Sequence, residues 1–184
     1  MKISLPQRLE SFYQEVQRED FLQKRGLANE VPFFIFPYDP KEELTLRATI
    51  DRLMKRFAIN VLHIDLFKLM VEQFREVGIE ELFMMEEEEG TNELYDAMLP
   101  SLEPGTLAKI ISDQSDGYEV ILITRVGSVY PLIRVNNLLH NFGDHNLQIP
   151  LVIFYPGQYT QEGLMMFNRF PSQRYYRAFS FHEK

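Results

Sequence analysis

Four short runs of apolar and β-branched residues, "FFIFPY", "VLHIDL", "YEVILIT" and "LVIFYPG", recur along this chain, separated by stretches of helical periodicity. Strands this apolar have to be covered on both faces, and the long connections between them allow parallel crossovers. The pattern predicts an α/β fold in three layers: a mostly parallel sheet of about five strands, flanked by helices. A fifth strand is expected in "RYYRAFSF" at the end of the sequence.

Spacing places the helices. Leu5, Leu9, Phe12, Tyr13 and Val16 fall at helical intervals, as do Leu44, Ile50, Leu53, Met54 and Phe57 in "KEELTLRATIDRLMKRF". Glu42 and Glu43 lie in the first turn of that second helix, where the helix dipole favours acids. "FKLMVEQFREVG" predicts a helix stopped by Gly78, and residues 79–113 read as a helical insertion broken at Gly90, Pro100 and Pro104-Gly105. "SVYPLIRVNNLLHNF" reads as one helix with Ser128 as its cap and Pro131 in its first turn. In the first strand, Phe33 and Ile35 should face one helical layer, and Phe34 and Phe36 the other. "MM" at Met84–Met85 and "MMF" at Met165–Phe167 read as core.

Nothing marks a second domain in residues 1–184, and that length can bury a real core. No apolar run reaches the roughly 18 residues of a membrane helix, and the polar, amphipathic start is unlike a signal peptide. The chain has no cysteine, which excludes disulfides, thiol nucleophiles and thiolate metal sites and suits the cytoplasm. Net charge is −8, unevenly spread: residues 1–123 hold 13 Lys+Arg against 24 Asp+Glu, residues 124–184 hold 6 against 3. Such a balance argues against a non-specific nucleic-acid binder, whose affinity needs a basic stripe, and leaves room for a local anion site.

Ligands of open parallel sheets bind beyond the carboxyl ends of the strands. Here that edge would gather Tyr38 and Asp39, Asp65, Thr124 to Ser128, and Tyr155 to Gly157. The anion- or ligand-binding candidates are Asp39, Asp65, Arg125, Gly127, Ser128, Arg134 and Gly157. One reading of the "TRVGSVYPLIR" turn is an anion held by free helix N–H groups and Arg125. The other is a plain cap at Ser128, with Arg125 pairing an acid from the upstream half. Asp39 with Asp65 could form a carboxylate pair, or each could serve a turn. His63, inside an apolar strand, reads as a hydrogen-bonded core residue. His140, Asp144 and His145 in "HNFGDHN" read as a helix end and loop rather than a metal site.

Working nucleotide loops are missing. Neither GxxxxGK[ST] nor GxGxxG occurs, and "PYDPKEEL" has no glycine to let backbone wrap a triphosphate. A Rossmann-like or nucleoside-triphosphatase-like fold here would lack its phosphate loop, and no GxSxG elbow is present. No cofactor is implied. "EEEE" at Glu86–Glu89 reads as a solvated helix face, whereas Arg169, Arg174, Tyr175, Tyr176 and Arg177 are candidates for a partner interface.

Four blocks, "GLANEVPFFIFPYDPKEEL", "VGSVYPLIRVNNLL", "PLVIFYPGQY" and "YYRAF", occur in an order that resembles the BrxB family of BREX bacteriophage-exclusion systems. The resemblance spans nearly the whole chain and is weakest in the acidic helical stretch. It implies a bacterial cytoplasmic component of an antiphage complex. Such a protein would work beside a PglZ alkaline-phosphatase-superfamily protein, a large ATPase and a DNA methyltransferase. The family supplies no catalytic residues to carry over. The expected role is therefore a non-catalytic adaptor that binds PglZ; the alternative is a degenerate nucleotide- or nucleic-acid-binding protein.

Overall fold

The computed structural model describes residues 3–23, 32–144, 147–160, 162–172 and 178–181. Its strands are β1 (Phe33–Tyr38), β2 (Val61–Asp65), β3 (Val120–Thr124), β4 (Leu151–Thr160) and β7 (Phe179–Ser180), all parallel in the order β2-β3-β4-β1-β7. The predicted α/β sheet is there. Two short strands, β5 (Gly163–Met166) and β6 (Phe170–Pro171), extend β4 as an antiparallel hairpin that the sequence reading missed.

Chain order and strand order together fix the layers. From β2 the chain steps to β3 and then β4 in one direction, but from β1 to β2 it travels the opposite way. Right-handed crossovers moving in opposite directions put their helices on opposite faces. Accordingly α1 (Leu5–Val16) and α3 (Glu43–Met54) cover the face formed by Phe36, Leu122, Val152 and Phe154. The other face, with Phe33, Ile35, Ile121 and Ile153, packs against α4 (Leu66–Glu72), α7 (Pro104–Asp113) and α8 (Val135–Asp144). The alternation expected in β1 holds, with Phe34 half-buried on the α1 side. Phe12 anchors that side, its ring meeting Phe36 and Phe154 edge-on at 5.7 and 5.2 Å. Such pairs add about 0.5–1.5 kcal/mol beyond burial.

Three helical expectations need correction. Leu44 is 75% exposed, and the buried stripe of α3 is Leu46, Thr49, Ile50 and Leu53. The helix expected from Ser128 begins only at Val135. A single 3-10 turn, Val126–Val129, comes first, and then Tyr130 is extended at φ −72°, ψ 136°. Pro131 is the reason, since a proline pushes the residue before it out of helical space. Ser128 therefore caps no helix. A short α2 (Glu19–Leu22) was also unforeseen.

The insertion is helical in pieces, as expected: α5 (Ile79–Glu89), α6 (Thr91–Met98), a 3-10 turn Leu99–Leu102, then α7. Gly90 ends α5 at φ +101°, a conformation that favours glycine. Neither α5 nor α6 has a buried residue. They touch the core through the half-buried Leu82 and Met98, while Phe83 and Met84 are 61% and 46% exposed. Met84 is thus not core. No described helix is long and apolar enough to cross a membrane.

Candidate functional site

The carboxyl ends of the four main strands do share one edge, but they form separate clefts. Between β3 and β4 the edge is closed. A Cβ on Gly127 would lie 2.8 Å from both Phe167 and Pro156, so the glycine exists for close packing rather than for wrapping an anion. Gly157, at φ +152°, would place a Cβ 2.1 Å from the Met165 carbonyl, and it permits the β4–β5 hairpin.

The β2–β3 end forms a cleft of about 470 Å³. Asp65 accepts a hydrogen bond from the Lys68 backbone N–H at 3.0 Å, capping α4, and its other oxygen lies 3.5 Å from the Arg125 guanidinium. Arg125 sits in the left-handed region at φ 60° and stacks over the Phe67 ring at 4.3 Å. Its Nε reaches Ser128 Oγ at 3.5 Å. Arg125 is therefore the partner of an upstream acid. Arg47, Lys68 and Arg125 face Asp51, Asp65 and Glu72 around this cleft, so it has no net attraction for an anion.

His63 lies in the same cleft, its Nε2 2.9 Å from the hydroxyl of the buried Thr124. Burial holds its pKa below the ordinary histidine value, more than the nearby Asp65 raises it. The hydrogen bond that the sequence suggested is there, but His63 is half-buried in the cleft wall rather than in the core.

Asp39 is at the β1–β4 end, in a smaller cleft of about 350 Å³ shared with Gly157, Tyr38 and Arg8. Loops there leave for opposite faces of the sheet, which makes it the topological switch point. Yet Asp39 accepts from the Lys41 N–H at 3.0 Å, as a turn cap. Tyr38 donates to Glu43, and burial, then that carboxylate, raises its pKa. β1 and β2 are three strand spacings apart, about 14 Å. Asp39 and Asp65 form no carboxylate pair.

Arg134 joins neither cleft. It lines a third, larger cavity of about 680 Å³ with Tyr130, Asn137, His140, Tyr155 and Phe170. Periodicity could not reveal this cavity, because α8, β4 and the β5–β6 hairpin each contribute to it. Of the interface candidates, Arg169 is described and stacks over Phe170 at 5.4 Å. Arg174, Tyr175, Tyr176, Arg177 and His145 lie outside the described residues, as does the Asp144 side chain.

The helical insertion adds a surface that the sequence reading treated only as solvated. Residues 79–102 contain eight acids and no Lys or Arg, so this one segment accounts for the whole net charge of −8. Ile79, Phe83 and Met84 are exposed among those acids.

Comparison with known proteins agrees with the four sequence blocks. The family described as BREX protein BrxB matches residues 62–181. A BREX protein BrxB of Bacillus cereus (strain H3081.97) is 30% identical over 187 residues, covering 97% of both chains. A BREX protein BrxB of Escherichia coli O9:H4 (strain HS) is 28% identical over 184 residues, covering 95% of this chain and 90% of the relative. No solved structure matches. With a family match over most of its length and a relative similar from end to end, the chain belongs to the BrxB family of BREX proteins.

Proposed function

We propose that the chain is a non-catalytic adaptor in BREX antiphage defence, and that it binds PglZ through the acidic α5–α6 hairpin. Membership of the BrxB family makes it a BREX component. The adaptor reading is carried by the hairpin itself: two helices with no buried residue, exposing Phe83 and Met84 inside a rim of glutamates. An apolar centre with a charged rim is the anatomy of a protein interface. The matching surface on PglZ would be an apolar patch edged by Lys and Arg, which also speeds encounter. A non-catalytic role is supported by the two edge carboxylates, each engaged as a cap. Once bound, the adaptor would hold PglZ beside the large ATPase and the DNA methyltransferase, in the cytoplasm.

The tail offers a second contact through Arg169, Arg174, Tyr175, Tyr176 and Arg177. Mixing the purified chain with PglZ at micromolar concentration and following co-elution tests the proposal. A stable complex is expected, weakened by reversing the hairpin surface with Phe83→Asp. Arg174→Glu with Arg177→Glu weakens it further if the tail contributes. Separate elution of the two proteins at micromolar concentration would contradict the adaptor reading.

A further inference from the structure

The cavity between α8 and the β5–β6 hairpin differs in charge from the cleft at Asp65. Among the described residues Arg134 and His140 line it, and no Asp or Glu does. Glu103, next to the lining residue Pro104, is engaged in capping α7 and accepts from the Thr106 N–H at 2.6 Å. Arg134 is exposed, and among the described residues it makes no ion pair; its guanidinium lies 5.9 Å from the centre of the Tyr130 ring.

Helix α8 starts at the cavity wall, with Val135, Asn136 and Asn137 of its first turn in the lining. The Asn137 N–H donates to the Arg134 carbonyl at 3.1 Å, which leaves the N–H groups of Val135 and Asn136 to carry the positive end of the helix dipole. A helix start alone would decide little, but Tyr155 adds an independent feature. Its side chain lines the cavity and is only 3% exposed, and it makes no hydrogen bond among the described residues. Set in the cavity wall rather than sealed in the core, that hydroxyl is placed to donate to a bound acceptor. Burial, then the neighbouring Tyr130, raises its pKa, so the phenol keeps its proton to donate.

The opposite wall is aromatic. Tyr130 and Phe170 stack at 5.6 Å with a 27° tilt, Arg169 lies over Phe170 at 5.4 Å and Phe167 meets Tyr130 edge-on at 6.0 Å, and Phe170 still keeps 40% of its surface exposed. Asn136 and Asn137 add side-chain amides, each both donor and acceptor, that make no hydrogen bond with other described side chains. A cationic end, a protonated donor, a partly exposed aromatic wall and amides able to read a ring edge describe one kind of ligand. We infer that this cavity binds a nucleoside monophosphate, with the phosphate at Arg134 and the first turn of α8 and the base against the Tyr130–Phe170 wall. The volume of about 680 Å³ is within the usual range for small-molecule sites. A mononucleotide fits better than a strand, since a polymer would meet a chain of net charge −8 with no basic stripe to track its backbone. The inference stands independently of PglZ binding.

Calorimetric titration of the full chain with AMP, GMP, CMP and UMP tests it, with adenosine and inorganic phosphate as fragment probes. At least one nucleotide should bind with a sub-millimolar Kd, and each fragment about tenfold more weakly or worse. Arg134→Gln should weaken binding about tenfold by removing a charge-assisted contact. Tyr155→Phe keeps the ring and its packing and should weaken it about three- to tenfold, with thermal melting used to verify that both variants fold. No heat at millimolar nucleotide overturns the inference, as does phosphate binding as tightly as the nucleotides. Unchanged affinity in both variants also overturns it. So does a loss on Arg125→Gln with none on Arg134→Gln, which would put the ligand in the Asp65 cleft. Binding of single-stranded DNA without any mononucleotide binding would overturn it as well.

Discussion

Helices α1 and α5 are nearly equal in length, 12 and 11 residues, yet the fold uses them in opposite ways. α1 buries Leu5, Leu9, Phe12 and Val16 on one stripe against the sheet, and α5 buries nothing. The stripe on α1 repeats at intervals of three to four residues, whereas the apolar residues of α5 fall on either side of Leu82, which alone reaches the core. Charge divides the same way. Outside residues 79–102 the chain has 19 Lys+Arg and 19 Asp+Glu, so the body is neutral and the hairpin carries all the net charge. A neutral, densely packed body supports a surface that spends no residues on its own core. That division of labour is what an adaptor needs.

The contrast can be broken by mutation, and the largest effect should fall in the body. Phe154→Ala removes a fully buried ring from the α1 side and should cost about 3–5 kcal/mol, measured by urea denaturation. A cost below about 1 kcal/mol would mean the body is not packed as described. Gly127→Ala should cost about 1–3 kcal/mol, because Phe167 and Pro156 have to move away from the new methyl group. On the hairpin, Phe83→Ser with Met84→Ser should change stability by no more than about 0.5 kcal/mol. A larger loss would make α5 part of the core.

The smallest effect concerns His63. Its pKa is lowered on folding, so the unfolded chain binds the proton more readily. The neutral form stabilises the fold at neutral pH, and that contribution fades as pH falls below the ordinary histidine value of about 6.5. His63→Gln should therefore flatten the decline of Tm just below that pH, relative to the unaltered chain. An equally steep decline would show that His63 is not the group responsible.

Much of the body was legible because a strand covered on both faces has to be apolar, and "VILI" and "LVIF" have no other use. Even the two faces of β1 could be assigned. The turn after β3 was not legible, because proline argues in both directions there: it is tolerated early in a helix, but it holds Tyr130 extended. The β5–β6 hairpin was hidden by its brevity, strands of four and two residues with no alternation to show. Site geometry was less visible still. Arg125 and Arg134 look like one basic cluster in sequence, but the extended Tyr130 and the late start of α8 send them to different cavities. The pairing of Arg125 with Asp65 became apparent only once β2 and β3 were neighbours, with Asp65 in register with Thr124.

The central claim is that the acidic hairpin is the docking surface for PglZ. The direct measurement is the Kd for PglZ of the unaltered chain and of the Phe83→Ser, Met84→Ser variant, determined side by side once their Tm values are shown to match. The account predicts at least about a tenfold weaker complex for the variant, roughly 1.4 kcal/mol. Equal affinities at equal stability would contradict it.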